Sequence, residues 1–425
     1  MVRDLSRRSI QKRRFAQVMS SRRTFILLIA TLNAALLYLD RICMGEIVKS
    51  DAFRREIALT PEETGRLLSA FFFAYALGQF PAGWLADRFG ARRMLTIYVA
   101  SWSLLTAVTG FTGGLLGLVV MRALCGLAEA GAYPASGKLI RAWFPQAQRG
   151  RASGCVASGG RIGNATALYL TAVLVLALGG WRQVLWLYGS LGLVLAAASW
   201  GVFRNSPDHA TRLPSGTAGG FPFRALFSHG HLWLFALAQF GVNFGAALSV
   251  TWLPAYLKDA LHVPGTEASR LLSVALFAGL IGLPLGGFFA DWSLARFGTV
   301  WGRRVPLLVG YCLAAACFGV MLISREPKWI AAAAGAVEFF TVLSTAAVWA
   351  MNQDIGQERT GVCQAWTNGI GNLGAAVLPL IVPLFKDAAT GAIAWPVVFS
   401  LCLGAYFVSA LLILCLDPRR TLAGG

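Results

Sequence analysis

The chain has 425 residues, of which 56% are hydrophobic and only 13% charged, and its formal net charge is +18. A soluble domain averages roughly 45–50% apolar and 25% charged residues, so this composition excludes an ordinary aqueous globule and makes lipid the solvent. The charge does not mark a nucleic-acid binder: about 24 basic residues fall in one set of alternate loops and about 9 in the other, the positive-inside distribution of a polytopic membrane protein.

Apolar runs close to the ~20 residues that cross a bilayer predict helices, in chain order, near 24–45, 65–86, 93–112, 115–137, 151–177, 183–203, 230–257, 270–291, 304–324, 329–352, 360–385 and 394–416. A basic tail with Arg3, Arg7, Arg8, Lys12, Arg13 and Arg14 precedes the first. The widest polar gap runs from Arg204 to Ser228 and carries Pro207, Pro214, Pro222 and a Ser-Gly-Thr-Ala-Gly-Gly stretch, which is linker composition. The expected organisation is an N-terminal six-helix bundle over 1–203, a cytoplasmic linker over 204–228 and a C-terminal six-helix bundle over 229–425, with both termini cytoplasmic. Eight Cys without CxxC spacing and four His at or near loops give no disulfide framework, metal site or cofactor. The lack of HExxH or GxSxG argues against an enzyme.

Two internal echoes point to a duplicated half. Asp87-Arg88-Phe89-Gly90-Ala91-Arg92-Arg93 follows the second helix, while Asp291, then Gly298 and Gly302-Arg303-Arg304, follow the eighth. Gly160-Arg161-Ile162-Gly163-Asn164 in the fifth helix is echoed by Gly369-Ile370-Gly371-Asn372 in the eleventh. Both pairs are offset by six helices, as internal repeats of transporters are.

The segment Gly83-Trp84-Leu85-Ala86-Asp87-Arg88-Phe89-Gly90-Ala91-Arg92-Arg93 closely resembles the signature loop of the major facilitator superfamily. The resemblance implies an all-α membrane protein of twelve transmembrane helices in two six-helix bundles that rock about a central site. Gly83, Asp87, Arg88, Gly90, Arg92 and Arg93, with Asp291, Arg303 and Arg304 in the second copy, would gate the conformational change. Asp87 would cap a neighbouring helix end, and the arginines would pair across the bundles.

Ionisable residues within membrane helices are costly and mark function. Here they are few: Asp40 and Arg41, Arg122 and Glu129, Arg161, and Glu338. Arg122 and Glu129 are seven residues apart and share a helix face, with Gly126 between them. Several arginines select an anion, because the planar guanidinium holds a carboxylate bidentately. A carboxylate's proton affinity depends on burial and on nearby charge, so acids beside those arginines suit proton carriage. Tyr38-Leu39-Asp40-Arg41, Tyr75 and Arg122-x6-Glu129 narrow the resemblance to the anion:cation symporter branch, whose members import sugar acids, hexuronates and aromatic acids. By that resemblance Arg41 and Tyr75 hold the substrate carboxylate, and Asp40 and Glu129 take the coupling protons. Arg122, Arg161, Asn368 and Asn372 complete the candidate substrate contacts, with Arg161 a departure from the branch.

The expected function is proton-coupled symport of a small organic anion by a monomer in a bacterial inner membrane. The alternatives are efflux or exchange of an organic acid or drug on the same fold, and a membrane sensor that has lost transport.

Overall fold

The computed structural model describes residues 2–205, 223–387 and 392–422. Among the described residues twelve long helices are found: α1 Val2–Ile47, α2 Pro61–Phe89, α3 Ala91–Thr109, α4 Leu115–Glu129 resuming as Ala132–Trp143, α5 Arg149–Ala177 and α6 Trp181–Val202 in the first half. The second half holds α7 Gly230–Thr251, α8 and α9 as one stretch Gly265–Ile323, α10 Pro327–Gly356, α11 Thr360–Ile381 and α12 Trp395–Cys415. Among the described residues there is no strand beyond an isolated bridge between Lys386 and Ile393. This is the fold of two six-helix bundles. Most of the expected linker, 206–222, lies outside the described residues.

Seven helical stretches among the described residues are long and apolar enough on composition alone to cross a membrane. Two of these, Gly279–Ile323 and Pro327–Phe385, each hold two helices or the larger part of them.

The helix ends follow local chemistry. Thr60 and Glu63 form a reciprocal capping box at the start of α2: Glu63 N–H donates to Thr60 Oγ1 at 3.2 Å and Thr60 N–H to Glu63 Oε2 at 2.9 Å. Pro61 takes the first helical position, where no backbone donor is needed. α2 turns into α3 through Gly90 alone, at φ 88°, and α8 turns into α9 through Gly298 alone, at φ 70°. Such left-handed backbone favours glycine. The expected loop over 292–303 is therefore corrected: α8 continues to residue 297 and α9 resumes at 299, because no breaker other than Gly298 interrupts the run. α1 likewise starts far before residue 24, since its Arg-, Lys- and Gln-rich tail is made of good helix formers.

By internal packing the chain divides into two compact units. The first comprises Met1–Gly78, Arg88–Pro145 and Gly159–Ala218; the second comprises Gln79–Asp87, Gln146–Ser158 and Gly219–Gly425. The second unit thus includes the last turns of α2 and the first turns of α5. In the first unit Gly163 of α5 packs against the Ala35 carbonyl of α1, and in the second Gly371 of α11 packs against Gln239 and Asn243 of α7. These glycines belong to the second sequence echo, which is thereby a repeated helix crossing.

Candidate functional site

In the first unit, Gly126 of α4 has no room for a Cβ because the Phe71 carbonyl of α2 occupies that space. This close approach brings Phe71 and Tyr75 of α2 beside Arg41 of α1. The Arg41 carbon Cζ lies 4.4 Å from the Tyr75 ring centre, 4.9 Å from Tyr38 and 5.4 Å from Phe71. Cation–π attraction strengthens when such a pair is desolvated, and the Arg41 side chain is only 10% exposed. Arg41 Nε donates to Glu129 Oε2 at 3.1 Å. Nη2 lies 3.1 Å from the same oxygen but is too poorly aligned to hydrogen-bond there, and it has no other hydrogen-bond partner. Rings flank the guanidinium and Glu129 holds its Nε, which leaves the buried Nη2 without a hydrogen bond.

Aromatic rings and two further charged side chains surround this pair. Tyr133 of α4 packs on Tyr38 with ring centres 6.4 Å apart, and both lie where a Cβ at Gly160 of α5 would be. Asp40 is buried, and neither of its carboxylate oxygens has a hydrogen-bond partner. It is not paired with its neighbour Arg41; the charges of Glu129 and Arg122 act on it, with the Trp102 indole adjacent. Arg122 donates from Nη2 to the Arg41 carbonyl at 3.2 Å and stacks its guanidinium 4.4 Å from the Phe71 ring centre. Its guanidinium thus engages the α1 backbone at the very residue that carries the pair, while its Nε has no partner. Arg161 follows Gly160 directly and is half-buried.

In the second unit, Asn368 of α11 donates to Gln79 Oε1 at 2.9 Å. Gln79 is fully buried, its Nε2 is without a partner, and so is Oε1 of Gln364, one turn before Asn368. Trp366 meets Phe80, Phe227 and Trp233 edge-on at 5.6, 5.1 and 5.1 Å between ring centres. Asn372, one turn beyond Asn368, is exposed. Glu338 of α10 is buried beside Gly279 of α8.

The two copies of the turn motif do the same work within the second unit. Asp87 accepts from the N–H groups of Gly361 and Val362, at 2.9 and 2.8 Å, at the start of α11. Asp291 accepts from the N–H groups of Gly150 and Arg151, at 2.9 and 3.0 Å, at the start of α5, and also from Arg151 Nε at 2.9 Å. Each carboxylate satisfies orphan donors and faces the positive end of a helix dipole. Gly83 has no room for a Cβ because the Gly361 carbonyl lies against it.

Of the motif arginines, Arg92 and Arg304 differ from the expectation that they pair across the bundles, whereas Arg303 donates from Nη2 to the Gln146 carbonyl at 3.3 Å. Arg92 donates to the Trp200 carbonyl at 3.2 and 2.9 Å and lies 4.2 Å from the Trp200 ring centre, at the end of α6 in its own unit. Arg304 correspondingly donates to the Leu416 carbonyl at 2.8 Å, just past the end of α12. The unsatisfied carbonyls and negative dipole of a helix C-terminus explain both choices. Arg93 is exposed, and Arg88 lies 5.4 Å from the Phe89 ring centre. Arg303 is fully buried and donates from Nε to Asp354 at 2.7 Å.

Asp354 went unread in the sequence. Besides Arg303 it accepts from Arg149 Nη1 at 2.8 Å and Gln146 Nε2 at 3.0 Å. The available signal was the polar run Asn352-Gln353-Asp354 at the end of a mostly apolar helix. Gln79 and Tyr133 were also passed over, each being a single polar residue in an apolar run.

The family model described as the Major Facilitator Superfamily matches residues 30–379. A probable sulfoacetate transporter of Cupriavidus necator is 30% identical over 94% of this chain and 95% of its own length. A probable galactarate/D-glucarate transporter of Escherichia coli K12 is 27% identical over 81% of this chain and 83% of its own. Among solved structures, the transporter FucP in the outward conformation superposes with a TM-score of 0.66 at 14% identity, covering 92% of this chain and 99% of that one.

Proposed function

This chain belongs to the Major Facilitator Superfamily, and from that premise we propose that it carries a small organic anion across a bacterial inner membrane by proton-coupled symport. The relatives' names support a carboxylate or sulfonate of sugar-acid size as the cargo: sulfoacetate in one case, galactarate and glucarate in another. The observation that carries the reading is the buried Arg41–Glu129 ion pair, in which Arg41 Nη2 lies 3.1 Å from the carboxylate but makes no hydrogen bond.

The proposed cycle follows from competition for one guanidinium. While Glu129 is ionised it neutralises Arg41, and an anion gains little by approaching. When Glu129 takes a proton, Arg41 is left as a buried, uncompensated cation. That state is expensive, and an incoming carboxylate relieves it. Proton and anion therefore enter together. Asp40 supplies a second protonation site, and Arg122 is assigned to positioning through the Arg41 carbonyl. Tyr75 and Tyr38 hold the guanidinium in plane. Arg161 is assigned to a second acidic group on the substrate. The carboxylates of Asp87, Asp291 and Asp354 latch the ends of α2 and α5 in this state and release them as access alternates.

The test is a thermal-shift panel of purified protein against galactarate, glucarate, galactonate and sulfoacetate. A ligand bound only by the folded state raises apparent stability by mass action. At least one acid is expected to stabilise the native protein and leave Arg41→Ala unmoved. A shift of equal size in Arg41→Ala contradicts the site.

A further inference from the structure

The ends of α7, α9, α10 and α12 meet a short segment, residues 416–422, that the transport cycle above does not use. Three hydrogen bonds lace it down. Arg304 Nε at the start of α9 donates to the Leu416 carbonyl at 2.8 Å. The Asp417 N–H donates to His231 Nδ1 in the first turn of α7 at 3.1 Å. The Leu422 N–H donates to the Ile355 carbonyl at the end of α10 at 2.9 Å. Two of these anchors sit next to residues of the Asp354 latch: Arg304 beside Arg303, and Ile355 beside Asp354.

The middle tether has a property the others lack. His231 accepts through Nδ1, so that nitrogen carries no proton and the ring is neutral. His229, which caps α7, also accepts through Nδ1, from the Leu232 N–H at 3.2 Å, and the two rings lie 6.3 Å apart. Protonation of Nδ1 turns an acceptor into a donor facing an N–H, and the bond is lost.

We propose that residues 416–422 form a pH-released strap, which holds the ends of α7, α9 and α10 together while His231 is neutral and lets them part once it is charged. The charged and titratable groups around His231 are His229 on its own helix, Arg304 from α9, and Asp417, Arg419 and Arg420 of the strap. The Asp417 side chain is taken up by Arg419, at 2.9 Å between Oδ2 and Nη2. The cationic Arg304 and Arg420 and the acidic Asp417 act on the His231 ring with opposite charge. Because the tether needs an unprotonated Nδ1, it is complete while the imidazole is neutral and is lost as acid protonates it, in the region of the ordinary imidazole value of about 6.5. Acid on that side, the expected product of proton influx, would loosen the Asp354 latch.

Hydrogen exchange of the full-length protein in micelles tests this without any substrate, so its outcome is independent of the transport reading. Protection factors for the strap amides, Asp417 and Leu422, are followed from about pH 7.5 to about pH 5. In the native protein they are expected to fall about tenfold or more. His231→Asn offers a carbonyl acceptor that does not titrate, and should keep protection flat across the range. His231→Leu should lack protection throughout. Native protection that does not change with pH, a His231→Asn curve identical to the native one, or full protection in His231→Leu would each overturn the strap.

Discussion

Two sets of carboxylates in this molecule are treated in opposite ways. Asp87, Asp291 and Asp354 have every carboxylate oxygen bonded, to helix N-termini or to arginines. Asp40 has none bonded, and Glu129 shares one oxygen with Arg41. Buried polar groups are normally satisfied, and each exception calls for a reason. The satisfied set lies at helix ends and reads as latches. Asp40 and the Arg41–Glu129 pair lie inside the first unit, where the proposed cycle has a proton satisfy a carboxylate and an anion take its place at Arg41.

That contrast can be broken by substitution, and the largest effect falls on the unsatisfied set. Arg41→Ala should reduce uptake of the stabilising acid in proteoliposomes to background. Arg41→Lys should rescue little, because an ammonium lacks the planar fork and stacks poorly between rings. Full uptake by Arg41→Lys would show that charge alone suffices. Next, Glu129→Gln mimics the protonated acid permanently. Accumulation driven by a pH gradient should vanish while counterflow of the same acid persists. Normal accumulation would remove Glu129 from the proton path.

The latches should respond more mildly. Asp87→Asn keeps one acceptor oxygen but loses the charge at the start of α11. Charge-assisted bonds of this kind contribute roughly 1.5–3 kcal/mol, so an initial uptake rate about tenfold lower is expected, with binding of the acid intact. Loss of binding in Asp87→Asn would erase the distinction between latch and site. The smallest effect concerns Glu56, outside the membrane helices, whose carboxylate accepts from Trp181 Nε1 at 2.9 Å and from Arg182 Nε and Nη2 at 2.9 and 2.7 Å. Donors from Arg182 and then Trp181 hold it below the usual carboxylate range. Its stabilisation is full above about pH 4.3, the ordinary Glu value, and is lost as pH falls below that. Glu56→Gln should flatten the acid limb of the melting profile and leave transport unchanged. Melting curves between about pH 3.5 and 6 would show it.

The helices were legible because hydropathy and length are local properties, and the twelve runs recur as α1–α12 within a few residues at most boundaries. The turn around Gly90 was legible as part of its motif, whereas the expected loop over 292–303 hid the fact that Gly298 alone makes the second turn. Arg41 and Glu129 stood out because charge within an apolar helix is rare. What stayed hidden is pairing across long separations. Nothing near Asp354 in the chain announces Arg149 or Gln146, which arrive from more than 200 residues away. Nor does the motif around Arg92 show that the nearest acceptor is the carbonyl of Trp200. The capping box at Thr60 and Glu63 is a local signal that could have been read and would have placed the start of α2 correctly.

The proton count of binding tests the competition for Arg41 most directly. Calorimetric titration of the stabilising acid in buffers of different ionisation enthalpy gives the protons taken up per anion bound. Near neutral pH the native protein should take up protons on binding, and Glu129→Gln should bind the same acid with about one proton fewer. Identical proton uptake in the two proteins would contradict the exchange of Glu129 for substrate at Arg41.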